Sequence, residues 1–202
     1  FVWDCLLFSK IKMRIDSMVG PKKQMGKVVG KRELAEKVFE IEISLPEVLL
    51  FKPGQYVSLK VNDQGLRRSY SVVDCVGGVI KLIVDVGPGG LGSVFLENIK
   101  VGGDLEVMGF FGNFLLDRTE VENKNVVYFV ATGTGIAPFI PMIKKLKSFY
   151  TGKVVLWWGV RFVRRVYWQD ELKKLKEDWD NFDYEMYVSR PEAEWGGKVG
   201  RV

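Results

Sequence analysis

The stretch NVVYFVATGTGIAPFIPMIKKLKSF, Asn125 to Phe149, decides the fold. It opens on an apolar run, Asn125 to Ala131, of the kind that a strand buried on both faces requires. A glycine-rich turn follows from Thr132 to Ala137. Pro138 then stands where a helix can begin, because proline loses no hydrogen bond at a first helical position. Beyond it Phe139, Met142, Ile143, Leu146 and Phe149 recur at helical spacing while Lys144, Lys145 and Lys147 face away. The pattern continues with VVLWWGV (Val154 to Val160), a second amphipathic run at Trp168, Leu172, Leu175 and Trp179, and YEMYVS (Tyr184 to Ser189). Buried strands alternating with such helices predict a parallel sheet with crossovers.

Upstream of Asp117 to Lys124 the character changes. VFEIEIS (Val38 to Ser44) alternates, placing Val38, Glu40 and Glu42 on one face and Phe39, Ile41 and Ile43 on the other. QYVSLKV (Gln55 to Val61), SYSVV (Ser69 to Val73), VIKLIVDV (Val79 to Val86) and DLEVMGF (Asp104 to Phe110) follow, separated by Pro-Gly and Gly-Gly punctuation. Short strands so spaced predict a small antiparallel β-barrel. The expected organisation is therefore a leader over 1–25, a β-barrel over 26–117 and an α/β unit over 118–202. The leader opens FVWDCLLF, too short and too charged to cross a bilayer, with Lys10, Lys12 and Arg14 after its apolar residues instead of before them as in a signal peptide. No function is assigned to it.

Composition narrows the chemistry. The chain has 202 residues, 47% of them hydrophobic, enough to fill a sizeable core. Lys and Arg exceed Asp and Glu by 30 to 25; a net charge of +5 is too mild and too dispersed to predict nucleic-acid binding. With no histidine and two cysteines, Cys5 and Cys75, a Ser-His-Asp triad, a histidine-ligated haem and a four-cysteine metal site are excluded within these residues. Two distant thiols without a signal peptide fit a reducing cytoplasm, with both expected to be buried and inert.

Three segments carry candidate chemistry. GPGGLGS, Gly87 to Ser93, leads into a short helix candidate, so the amides of Gly90, Leu91, Gly92 and Ser93 can cradle a phosphate; taken alone, the same residues read first as a flexible hairpin-to-helix connection. ATGTGIAPF, Ala131 to Phe139, is similar to the dinucleotide-binding fingerprint, with Gly133 for the turn and Gly135 for close approach, though Pro138 replaces the third glycine. A tight structural turn is the alternative. In RRSYS, Arg67 to Ser71, Arg68 and Tyr70 share one face of a strand and Ser69 and Ser71 the other. Arg68 can neutralise a phosphate and Tyr70 can stack on a flat heterocycle, or the two form an ordinary cross-strand pair.

Taken in order, PGQY (Pro53 to Tyr56), RSYS, GGLGS and GTGIAPF closely resemble the ferredoxin-NADP reductase superfamily, and WGVR (Trp158 to Arg161), YWQDEL (Tyr167 to Leu172) and SRPEAEWGGKVGRV (Ser189 to Val202) extend the match. The resemblance implies two domains: an antiparallel FAD-binding β-barrel, then a Rossmann-like α/β NAD(P)H-binding domain. It implies that Arg68 binds the flavin pyrophosphate, Tyr70 stacks on the isoalloxazine, and Ser71, with Ser69 beside it, lies near the reactive nitrogen. Tyr70 and Ser71 become the candidate catalytic residues. Gly90, Leu91, Gly92 and Ser93 supply the second phosphate cradle, and Thr132, Gly133, Thr134, Gly135, Ile136 and Ala137, with Arg161, receive the nicotinamide dinucleotide. No metal is implied.

Members of that family continue beyond the GxV segment through another helix and strand bearing a Cys-Gly-Pro motif, so the α/β domain is expected to be incomplete at Val202. Ser189 and Arg190 match a pair that contacts the 2′-phosphate in NADPH-using relatives, and Arg164 and Arg165 stand where NADH-using relatives carry an acid; the expectation leans to NADPH. The implied activity is an NAD(P)H-dependent FAD oxidoreductase of the cytoplasm. It would pass electrons to a small carrier protein such as ferredoxin or flavodoxin, or to an oxygenase component. A free-flavin reductase and a flavin subunit of the dihydroorotate dehydrogenase type are the alternatives.

Overall fold

The computed structural model describes residues 21–47, 50–192 and 194–202. Most of the leader, with Cys5, lies outside them. Six strands close an antiparallel barrel in the order β1-β2-β5-β4-β3-β6: β1 Lys22–Ala35, β2 Val38–Ser44, β3 Tyr56–Lys60, β4 Arg67–Val76, β5 Val79–Asp85 and β6 Asp104–Phe111. Helix α1, Leu91–Asn98, joins β5 to β6. Alternate residues fill the barrel, among them Val28, Ile41, Ile43, Leu59, Val72, Ile80 and Leu82, together with Leu96 of α1. Each such side chain contributes about 1.5–3 kcal/mol by leaving water.

Strand β1 is absent from the sequence reading, and its start at Lys22 falls inside the segment set aside as leader. Its inward positions explain the omission. They are Gln24, Gly26 and Val28, so only one is an apolar side chain. Gln24 is nevertheless buried, its Oε1 accepting the amide of Glu47 at 2.9 Å, and a Cβ on Gly26 would lie 2.6 Å from Ile43 Cγ2.

The second half begins with a short helix α2, Arg118–Val121, capped by the Asp117 carboxylate. Then come β7 Val126–Thr132, α3 Phe139–Leu146, β8 Lys153–Val160, α4 Gln169–Glu177, β9 Phe182–Val188 and β10 Lys198–Val199. The four strands form a parallel sheet ordered β10-β9-β8-β7. Phe129, Ala131, Leu156 and Trp158 pack in one cluster with Ile140, Ile143, Leu146 and Leu172, so both longer helices cover the same face. Tyr128, Val130 and Trp157, on the opposite face, are exposed. Trp168 and Trp179 flank α4 instead of lying within it, Trp168 as its N-cap in a left-handed conformation at φ 59°.

The two halves meet on outward-facing barrel residues. Val38, Val73 and Ile83 join the apolar cluster of the α/β half. Glu40, which alternation directs away from the barrel interior, is only 4% exposed because this contact covers it; Arg32 and Lys81 neutralise it at 2.8 and 3.4 Å. Cys75 is a half-buried free thiol whose pKa burial pushes up, as expected of an inert cysteine.

Candidate functional site

The adjacent arginines of β4 have different surroundings. Arg67 is held by the Glu106 carboxylate, by Ser58 Oγ at 3.1 Å and by the Ser58 carbonyl at 2.5 Å. Arg68 is exposed, and among the described residues its guanidinium donates only to its neighbour's carbonyl, Arg67 O, at 2.9 Å. Its stem and the Tyr70 hydroxyl pass over Gly92, where a Cβ would lie 2.8 Å from Arg68 Cγ and 2.8 Å from Tyr70 Oη. The first turn of α1 is thereby brought against Arg68. Its N-cap, Gly90, offers no side-chain acceptor, and the turn holds no acidic residue. Uncapped amides beside an uncompensated guanidinium are a setting built for anionic oxygen. The Ser93 hydroxyl is directed back to the Asp85 carbonyl at 3.3 Å.

Tyr70 is half-buried against the barrel core, and burial raises its phenol pKa, with nearby Arg68 opposing. It presents a neutral ring at neutral pH. Ser69 and Ser71 take the other face of β4; Ser71 pairs with Tyr56, whose ring stacks on Phe111 at 5.5 Å.

Between the halves lies a cavity of about 670 Å³. Thr132, Gly133 and Thr134 line it, as do Arg161, Ser189 and Arg190, so the structure gathers these six residues around one space. Gly135 is exposed nearby, whereas Ile136 and Ala137 are 0% and 2% exposed and belong to the core; any contact from them is through backbone. The cavity is also lined by Asp85, Gly87 and Pro88 on the barrel side and Arg201 and Val202 on the α/β side, none of which the sequence reading gave a role. Gly87 and Pro88 open the quoted GPGGLGS and the last two close the quoted SRPEAEWGGKVGRV; nothing marks Asp85 except its place at the end of a strand.

The turn after β7 is held from within. Gly133 adopts φ 52°, and its carbonyl accepts both the Trp158 indole N–H at 2.9 Å and the Tyr167 hydroxyl at 3.2 Å. Trp158 and Tyr167 are 1% and 4% exposed and meet edge to face at 4.7 Å. Because N–H and C=O point oppositely across a trans peptide, a Gly133 carbonyl held by these two donors turns the Thr134 N–H away from Trp158 and Tyr167. WGVR and YWQDEL thus acquire a shared physical role.

Arg164 and Arg165, counted toward a 2′-phosphate, are occupied by carboxylates: Arg164 by Glu36 and Glu192 at 2.7 and 2.6 Å, Arg165 by Asp85 at 2.9 Å. Among the described residues Arg161, Arg190 and Arg201 have no such ion pair. Also among the described residues, no cluster of His, Cys, Asp or Glu could hold a metal, and no helix is long and apolar enough to cross a membrane.

Comparison with known proteins gives matching domains. Residues 25–115 match the oxidoreductase FAD-binding domain and residues 129–202 the oxidoreductase NAD-binding domain. Ferredoxin–NADP reductase B of Sorangium cellulosum is 30% identical over 183 residues, covering 87% of this chain and 74% of that protein. The toluate 1,2-dioxygenase electron transfer component of Pseudomonas putida is 31% identical over 173 residues, 83% of this chain but 50% of that protein. Among solved structures, the Amycolatopsis cytochrome P450 reductase GcoB superposes with a TM-score of 0.81 at 25% identity, over 89% of this chain and 55% of that one. The chain thus spans about half the length of two of these three.

Proposed function

Since the chain belongs to the ferredoxin-NADP reductase superfamily of FAD- and NAD(P)H-binding oxidoreductases, we propose that it oxidises NAD(P)H and sends the electrons to a separate acceptor protein. The observation that carries this reading is the exposed Arg68 beside the uncapped first turn of α1, which is led into by the Gly87–Pro88 loop that shares a cavity with the turn at Gly133. When bound, the two cofactors supply the hydride and single-electron chemistry. The chain supplies position. Arg68 would pair with one phosphate of FAD and the amides of Leu91, Gly92 and Ser93 with the other. The neutral ring of Tyr70 would stack on the flavin, with Ser69 and Ser71 on the opposite face of the same strand. Thr132, Gly133 and Thr134 would hold the coenzyme diphosphate, with Gly135, Ile136 and Ala137 contributing backbone. The cavity of about 670 Å³ between the two packed halves is large enough to take part of the coenzyme.

Preference for NADPH rests on Arg190 with Ser189, supported by Arg161 and Arg201 on the same cavity wall. Arg164 and Arg165 no longer contribute to it. The relatives named for ferredoxin and for an oxygenase support a small electron carrier or an oxygenase component as acceptor. A diphosphate cradle favours FAD over free riboflavin as the flavin held.

The deciding experiment is uptake of FAD by the purified protein, followed by flavin fluorescence. The expected result is a yellow protein that releases FAD on heating. A folded barrel that stays colourless with added FAD overturns the reading.

A further inference from the structure

Asp85 is the last residue of β5, and Arg165 ends the 3-10 turn Val163–Arg165 that follows β8. They are 80 positions apart and on opposite sides of the cleft. Arg165 Nη1 donates to Asp85 Oδ1 at 2.9 Å, with the side chains 23% and 37% exposed. The same oxygen accepts the amide of Gly87 at 2.8 Å, which shapes the start of the GPGGLGS loop. The Asp85 carbonyl accepts the Ser93 hydroxyl at the far end of that loop. Arg165 lies directly against Gly87, where a Cβ would stand 2.5 Å from its Nη2. Its Nε is 3.8 Å from Glu36, in the β1–β2 turn, and the Glu36 amide donates to the Arg164 carbonyl at 3.1 Å. Two residues beyond Arg165 is Tyr167, which holds the Gly133 carbonyl.

From this geometry we propose that Asp85 and Arg165 are a positioning pair, a strut that sets the separation between the flavin cradle and the coenzyme cradle. The proposal rests on the functional reading above. One end of the strut organises the loop leading into α1; the other continues into the residue that fixes the turn at Gly133. Transfer between two bound rings depends steeply on their approach, and a misplacement of about 1 Å can cost about a hundredfold in rate. A charge-assisted hydrogen bond that touches both loops is placed to govern that approach. Of the other ion pairs across the halves, Arg164 with Glu36 touches the loop after β8 but not the loop into α1, whereas Arg32 with Glu171 and Lys144 with Asp74 line a separate cavity and touch neither loop. They provide the internal comparison.

The test compares the FAD-loaded parent with Arg165→Ala, Asp85→Asn and the double variant, using Lys144→Ala as reference. Asparagine keeps an oxygen for the Gly87 amide and removes the charge. The readouts are FAD affinity, affinity for adenosine 2′,5′-bisphosphate, and the long-wavelength charge-transfer absorbance of reduced flavin with saturating NADP⁺. Amide exchange at Gly87 to Leu91 and at Phe162 to Tyr167 is measured without either cofactor. Both single variants should lower the charge-transfer absorbance at least about threefold, leave both affinities within about twofold, and raise exchange in the two loops together. The double variant should be no worse than the more affected single variant, because each single change already removes the pair. Lys144→Ala should match the parent. Loop exchange and absorbance that match the parent in Arg165→Ala overturn the strut, and so does a loss of FAD affinity in step with the absorbance. A parent chain that binds no FAD overturns the functional reading first, and is seen before any variant is compared.

Discussion

The indole N–H of Trp158 donates to the carbonyl of Gly133 at 2.9 Å, which ties the interior of β8 to the turn after β7. Tyr167 takes the second lone pair of that oxygen from across the cluster. Leaving a buried carbonyl short of a donor costs about 1–3 kcal/mol. Tyr167→Phe keeps the ring and its edge contact with Trp158 and removes only the hydroxyl. It should lower unfolding stability by about 1 kcal/mol and weaken coenzyme binding about three- to tenfold, with FAD affinity unchanged. Parallel titrations with the coenzyme and with FAD make the check; an equal loss for both would assign Tyr167 a purely structural part.

Gly92 lies where Arg68 and Tyr70 cross α1, and any side chain there must push them aside. Gly92→Ala should raise the FAD dissociation constant at least about tenfold, a change of about 1.4 kcal/mol. The thermal midpoint should move little, since Arg68 is exposed and free to yield. Flavin fluorescence titration measures the first and calorimetry the second. Unchanged affinity would show that the contact between Arg68 and α1 does not hold the diphosphate.

How much of this was legible in the sequence depends on whether a residue's partner is near it in the chain. The alternation of VFEIEIS and the apolar run before GTGIAPF report local burial, and β2 and β7 form there. In β1 the inward positions are a glutamine satisfied by a backbone amide, a glycine filled by Ile43 and a single valine, Val28, so the strand has no apolar alternation to read. Strand alternation and the resemblance pick out Arg68 over Arg67 in the sequence, but only the fold shows that Glu106 and Ser58 occupy Arg67. Arg164 and Arg165 misled for the same reason, because their carboxylates come from Glu36, Glu192 and Asp85, distant in the chain. WGVR and YWQDEL were visible as motifs, but their common purpose at Gly133 required the structure.

Arg190 is exposed on the cavity wall beside Ser189, with its amide fixed to the Arg161 carbonyl at 2.8 Å. Its guanidinium fork suits a phosphate dianion, and a carboxylate in its place repels one. Arg190→Glu should raise the Michaelis constant for NADPH at least about tenfold and that for NADH by no more than about twofold. Steady-state comparison of the two coenzymes checks it. Equal effects would show that Arg190 does not read the 2′-phosphate.

Burial raises the Tyr167 phenol well above the ordinary value of 10.0, and the charge of Asp85 adds to the shift. A folded-state pKa above the unfolded one means that the folded chain keeps a proton that the unfolded chain releases. Stability is therefore fully present below about pH 10 and falls as pH rises beyond it, by up to about 1.4 kcal/mol per pH unit for one group. Tyr70, raised by burial in the same direction, contributes to the same limb. Denaturant melts at pH 8 and pH 11 should show a smaller alkaline loss in Tyr167→Phe than in the parent, at about the stated slope. Identical losses would mean that the hydroxyl does not titrate with unfolding.

Gly54, in the PGQY segment before β3, adopts φ 101°, and a Cβ there would overlap the carbonyl oxygen of Phe114 and crowd Met142 of α3. The segment linking the barrel to the α/β half therefore passes directly over this glycine. Gly65, at φ 86°, has open space around its missing Cβ. Alanine at Gly65 suffers backbone strain alone, about 1–2 kcal/mol. Alanine at Gly54 suffers that strain and a clash with backbone that cannot rotate away, placing it among the rare single changes that cost more than about 4 kcal/mol. Denaturant titration should rank the two variants in that order. Gly54→Ala should also make the linker at Gly112 to Leu116 more open to proteolysis, because relief of the clash displaces it; equal stabilities for the two variants would place the linker elsewhere.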